Sequence, residues 1–151
     1  KYGESIGEIL VFLDEVRRQI ASVESAGERM ESLRREQKKL AAEYEKAAQF
    51  NPTDVDAQTN LATAYLEQGR LPDAERVFDW ILKTDPAHAA AYNGLGLIAI
   101  QKRDLPTARS RFERAVQLDP DLVEAHMNLG IIYQMTGDHA RVRYRTGRGT
   151  G

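Results

Sequence analysis

The chain has 151 residues, a formal charge of -2, 42% hydrophobic residues and no cysteine. That length suffices for one modest core and is short for two. The near-neutral balance, with a pI near 6.0, provides no overall basic field for nucleic acid or an acidic membrane; the missing cysteines exclude disulfides and thiol chemistry but leave the cellular compartment unresolved.

Residues 1–37 read as helix, coiled-coil-like in pattern. The apolar stretch from Ile9 to Leu13 is interrupted at Asp14 and Glu15, too early for a membrane span. Glu4 and Glu8 precede it with no basic region, which is unlike a signal peptide. Because the chain begins at Lys1 and not at a methionine, an excised or processed piece is expected. Ile6, Ile9, Leu13, Val16, Ile20 and Val23 step by three and four, the seam of a coiled coil or of a long helix lying along a neighbour. A second seam, Met30, Leu33, Gln37, Leu40, Tyr44 and Ala47, falls out of phase with the first near Gly27, where a kink or a hairpin turn is expected. Apolar residues this dense on one face rarely stay in water. Three occupants of the first seam stay open: the chain's own repeats or a helical hairpin, a second copy forming a homodimer, and a different protein.

From residue 38 onward the sequence repeats. Pro52, Pro86 and Pro120 are spaced by 34, as are Leu61, Leu95 and Leu129, Ala57, Ala91 and Ala125, and Ala62, Gly96 and Gly130. Ala74 and Ala108, and Phe78 and Phe112, share the spacing, and so many agreeing columns mark an internal repeat. Each unit reads as two helices. In the first unit, Ala57, Leu61, Ala64 and Tyr65 form one stripe that ends at Gly69. The second helix opens with Pro72 in its first turn, turns Ala74, Val77, Phe78, Ile81 and Leu82 inward, and stops before Pro86. Small residues at Ala62, Gly96, Gly130, Ala74 and Ala108 are expected where paired helices approach closely. Counting 34 back from Ala74, Phe78 and Ile81 reaches Leu40, Tyr44 and Ala47, so residues 38–54 read as a degenerate half-repeat capping the array.

These units resemble tetratricopeptide repeats, whose pattern is Trp-x2-Leu-Gly-x2-Tyr, then Ala-x3-Phe, then Pro. Residues 55–88 carry it at Leu61, Ala62, Tyr65, Gly69, Ala74, Phe78, Ile81 and Pro86. Residues 89–122 carry it at Tyr92, Leu95, Gly96, Ala108, Phe112, Ala115 and Pro120, with Ala99 where Tyr is usual. Residues 123–137 keep only Leu129, Gly130, Tyr133 and Gly137. The resemblance implies an all-α solenoid of helix-turn-helix repeats over residues 38–137, preceded by a long N-terminal helix or helical hairpin.

In the third unit the close-packing alanine and the aromatic fall on Val142 and Thr146, so its second helix is expected to be absent or ruined and the apolar face of Leu129, Ile132 and Tyr133 partly uncovered. The basic tail, residues 138–151, with Arg141, Arg143, Arg145 and Arg148, is read as a truncation or frame error, with a mobile terminus and an RNA-contacting tail as the other readings.

No catalytic motif appears. His88, His126 and His139 are scattered, without metal-ligand spacing, and there is no phosphate-binding glycine loop or nucleophile elbow. No enzymatic activity, cofactor or metal is therefore expected. Trp80, the only tryptophan, is expected to be partly buried against a neighbouring helix. The resemblance implies a concave groove lined by the first helix of each unit. Its columns are Asp56, Ala90 and Glu124; Thr59, Asn93 and Met127; Thr63, Leu97 and Ile131; and Leu66, Ile100 and Gln134. One branch of the family grips a peptide's terminal carboxylate through Lys, Asn and Arg; here the matching places hold Thr59, Thr63, Gly94, Glu124 and Asn128. The expected partner is a protein or peptide, with no nucleic acid and no membrane span. The expected role is a non-catalytic interaction scaffold, and the alternative is the appendage of a larger enzyme whose catalytic domain lies elsewhere.

Overall fold

The computed structural model describes residues 2–138, with side chains from Ser5 onward, and these residues form six α-helices: α1 (Tyr2–Phe50), α2 (Val55–Glu67), α3 (Leu71–Thr84), α4 (Ala89–Gln101), α5 (Leu105–Leu118) and α6 (Val123–Met135). The chain divides between Lys39 and Leu40 into two compact units. His139 and the arginine-bearing tail, with Val142 and Thr146, lie outside the described residues.

In the first unit α1 runs through Gly27 without a break, so the expected kink or hairpin is replaced by continuous helix. A glycine inside a helix is less favourable than alanine by about 1 kcal/mol, but it keeps its N–H and forces no turn. Ion pairs one turn apart, Glu15 with Arg18 and Glu31 with Arg35, support the wound state on either side.

In the second unit the last turns of α1 lead into two helix pairs, α2–α3 and α4–α5, followed by α6 against α5. Asp54 starts α2 by accepting from the N–H groups of Asp56 and Ala57, and Asp104 starts α5 by accepting from that of Thr107. Pro72 and Pro106 occupy first turns, where a missing N–H has no consequence. The first helix of each unit ends in one recurring turn. The N–H groups of Arg70, Asp104 and Asp138 reach back to Tyr65, Ala99 and Tyr133, through a left-handed residue at Gly69, Arg103 and Gly137.

Ala62, Ala74, Phe78 and Ile81 lie in one core cluster, with Val77, Leu82 and Trp80 packed partly buried against it; Ala108 and Phe112 anchor a second with Leu129, Ile132 and Tyr133. Two expectations change. Leu129, Ile132 and Tyr133 are buried, in one core cluster with Ala108 and Phe112 of α5; Val123, Met127, Ile131 and Met135 are exposed instead. Ahead of α2, the buried side chains are Ala41 and Ala48, with Tyr44 half-buried and Leu40 and Ala47 exposed. The inward face is turned by one residue from the repeat register. No proline-marked turn resets this helix as Pro72 and Pro106 do in α3 and α5; its facing follows from Ala48 entering the first core cluster and Glu45 meeting Tyr65.

Candidate partner-binding groove

The first helices of the units lie side by side, α2 beside α4 and α4 beside α6, so the residues expected to line a groove fall on three adjacent helices. They are not equally available. Asp56 and Thr63 on α2, and Glu124, Met127, Ile131 and Gln134 on α6, are exposed. Thr59, Leu97 and Ile100 are half-buried, and Leu66 and Asn93 are buried. Leu66 belongs to the first core cluster, Ile100 packs on the second, and Leu97 packs on both. The apolar surface a partner could touch is thus concentrated on α6, where Met127 is 63% and Ile131 48% exposed, with carboxylates at Asp56 and Glu124.

The polar residues in this array hold it together. The Asn128 amide donates to Asn93 Oδ1 at 3.0 Å, tying α6 to α4. Asn93 is the one buried polar residue among those described, and this bond supplies the partner such a group requires. Thr59 Oγ1 lies 3.1 Å from His88 Nε2, whose Nδ1 is 3.4 Å from Asp85. The order carboxylate, imidazole, hydroxyl is that of a nucleophilic triad, yet the Thr59 hydroxyl donates to the Val55 carbonyl at 2.7 Å. Its proton is committed, so the hydroxyl can meet His88 only as an acceptor, and this contact ties the α3–α4 turn to α2; an activated nucleophile needs the opposite direction. His126 is structural too. Its Nε2 meets the Pro120 carbonyl, as Gln58, 68 residues earlier, donates to the Pro52 carbonyl at 3.2 Å. No group of three or more acidic or histidine side chains able to hold a metal occurs among the described residues. No described helix is long and apolar enough to cross a membrane.

A further pattern joins successive units. The Tyr65 hydroxyl donates to Glu45 at 2.8 Å, and Arg70 lies over the Tyr65 ring while contacting Glu45 and Asp73. Two units later, Tyr133 donates to Glu113 at 3.0 Å, with Arg109 over its ring and paired to Glu113 and Asp138. Burial, then the hydrogen bond to Glu45, pushes the Tyr65 phenol above its usual range. Sequence reasoning missed these clusters although the signal was present: Tyr65 and Tyr133 share a column, and Glu45 and Glu113 share another. In the middle unit Ala99 replaces the tyrosine, and Lys102 reaches Glu75 at 2.5 Å instead.

The family model described as Tetratricopeptide repeat matches residues 59–122 and 99–141. No curated protein matches the chain. Among solved structures, the chain is similar to MamA at 25% identity and TM-score 0.55, covering 66% of this chain and 58% of that one. It is similar to YrrB, described as a TPR protein with an unusual peptide-binding site, at 24% identity and TM-score 0.55, covering 59% and 46%. The first TPR of Spaghetti, bound to the HSP90 peptide SRMEEVD, matches at 23% identity and TM-score 0.60, covering 69% and 82%. The chain therefore spans less than two thirds of the length of MamA and YrrB.

Proposed function

We propose that this chain, which belongs to the tetratricopeptide repeat family, is a protein-interaction module that takes an apolar peptide or amphipathic helix along α6, with a basic flank toward Asp56 and Glu124. The observation carrying this reading is the exposure of Met127 and Ile131 on one helix, with the exposed carboxylates of Glu124 and Asp56 in a single column at the N-terminal ends of α6 and α2. An amphipathic helix laid across such a surface buries its apolar positions at three-and-four spacing. Two solved structures of the same fold are described as having a peptide-binding site or a bound peptide, which supports the general mode. The charge favours a different ligand from the acidic one in the second of these. Asp56 and Glu124 repel a carboxylate-rich peptide, and Thr59 and Thr63 stand where a carboxylate clamp needs cations.

The test is selection from a displayed library of amphipathic helical peptides. Enriched sequences are expected to pair an apolar stripe with lysine or arginine at one end and to bind Met127→Asp/Ile131→Asp at least tenfold more weakly, with the helical content unchanged. Both positions are exposed, so the substitutions leave the core intact; Leu97 is unsuitable because it packs on both core clusters. Binding that ignores the double substitution overturns the reading.

A further inference from the structure

The first unit carries an apolar surface that the groove does not use. Along α1, Ile6, Ile9, Leu13, Ile20 and Val23 are all more than two-fifths exposed, from 43% at Leu13 to 71% at Val23, and Leu10 and Phe12 stand beside them equally open. The spacing assigns heptad positions. Ile6, Leu13 and Ile20 fall at a, and Ile9, Val16 and Val23 fall at d, so every d position of the three heptads is β-branched.

That composition bears on strand number. In parallel coiled coils a β-branched residue at a with leucine at d favours two strands, whereas β-branched residues at both shift the preference to three or four. Here leucine is absent from d altogether. A second feature points the same way: Leu10 and Phe12 take the flanking e and g positions, which widens the apolar face of the first heptads beyond the narrow seam that a two-stranded coil can cover. Orientation follows from the same residues. In a parallel, in-register bundle Leu10 and Phe12 of every copy lie at the same end, and the g-to-e′ neighbours are Ser5 with Leu10, Phe12 with Arg17, and Gln19 with Glu24, none of them a like-charge pair.

We propose that residues 6–23 assemble three or four copies of this chain into a parallel helical bundle. The occupant of the exposed seam is another copy of the same seam, and the expected homodimer gives way to a higher assembly. The proposal is independent of the groove, since it involves no ligand and no residue beyond α1.

Sedimentation equilibrium of the full chain tests it. The monomer mass is 17.0 kDa, and a concentration-dependent species of three or four times that mass is expected. The triple substitution Ile9→Leu/Val16→Leu/Val23→Leu keeps the seam apolar and helical while placing leucine at every d position, so it is expected to move the assembly to a dimer. Orientation has its own readout, because the chain contains no cysteine. Ile6→Cys, at an a position whose side chains face one another across a parallel bundle, is expected to cross-link rapidly on oxidation, whereas in an antiparallel pair that position lies opposite Val23. A wild-type monomer or dimer overturns the proposal, as does a triple variant whose mass does not change or an Ile6→Cys chain that fails to cross-link.

Discussion

Gly94 on α4 lies directly beneath the ring of Phe78 on α3. A Cβ built on Gly94 would fall 2.6 and 2.7 Å from two ring carbons and nearer still to Cζ, and Phe78 is fully buried, so the ring has nowhere to go. Gly96 stands in the same relation to Phe112, with ring atoms at 2.5 to 2.8 Å. Either glycine to alanine is expected to destabilise by roughly 1–3 kcal/mol through overpacking, despite the better helix propensity of alanine. Gly130→Ala is expected to do the reverse, by about 0.5–1 kcal/mol, because nothing among the described residues lies within 4 Å of its Cβ position. Thermal unfolding followed by circular dichroism separates the signs; a destabilised Gly130→Ala would mean that a neighbour fills that space.

That contrast marks the limit of what the sequence discloses. The repeat columns group Gly96 with Gly130 because they share a place in the period, and they recover the helix pairs, their proline starts and most of the core, since those follow from local pattern. What a column omits is which neighbour arrives. Gly94 shares its column with Asn60 and Asn128, and only the Phe78 ring explains its glycine; the useful signal was a second helix-interior glycine two residues from the first. Leu66, Leu97 and Ile100 read as groove residues by position, yet each packs against a core cluster, because adjoining units lean on them. The inward face of the last turns of α1 differed from the counted register for the same reason: tertiary contacts, and no local turn, set it.

Arg103 adopts φ +60° at the place where Gly69 and Gly137 have φ +72° and +75°. A left-handed conformation is unfavourable for a residue with a Cβ by about 1–2 kcal/mol, part of which glycine returns through its freer unfolded chain. Arg103→Gly is therefore expected to stabilise the chain by up to about 1 kcal/mol, readable as a higher urea midpoint with an unchanged slope. A lower midpoint would show that the Arg103 side chain contributes more than its backbone loses.

The Tyr65–Glu45 hydrogen bond predicts a pH effect on the alkaline side. Burial, with the hydrogen bond to Glu45, raises the Tyr65 phenol above 10.0 in the folded chain. A group whose folded value is raised contributes stability that is present below its unfolded value and is lost as the pH rises through the folded one. Tyr65→Phe is expected to remove about 1 kcal/mol at neutral pH, with much less effect once Glu45 is alanine. The gap between wild type and Tyr65→Phe should narrow above pH 10.0; a gap that stays constant through that range overturns the assignment.

Asp104 predicts the complementary effect in acid. The hydroxyl and the backbone N–H of Thr107 hold its carboxyl below its usual 3.8, and the carboxylate caps α5 by accepting from that N–H at 3.2 Å. A group whose folded value is depressed contributes stability that is present above its unfolded value and is lost as the pH falls through the folded one. The loss should therefore begin near pH 3.8 and continue downward. Asparagine caps a helix about as well as aspartate but does not titrate. Asp104→Asn is accordingly expected to match wild type near neutrality and to lose less stability between neutral and acid pH, while Asp104→Ala is weaker throughout. Melting temperatures taken across the acid limb decide it. Parallel curves for wild type and Asp104→Asn would show that protonation of this cap has no part in acid unfolding.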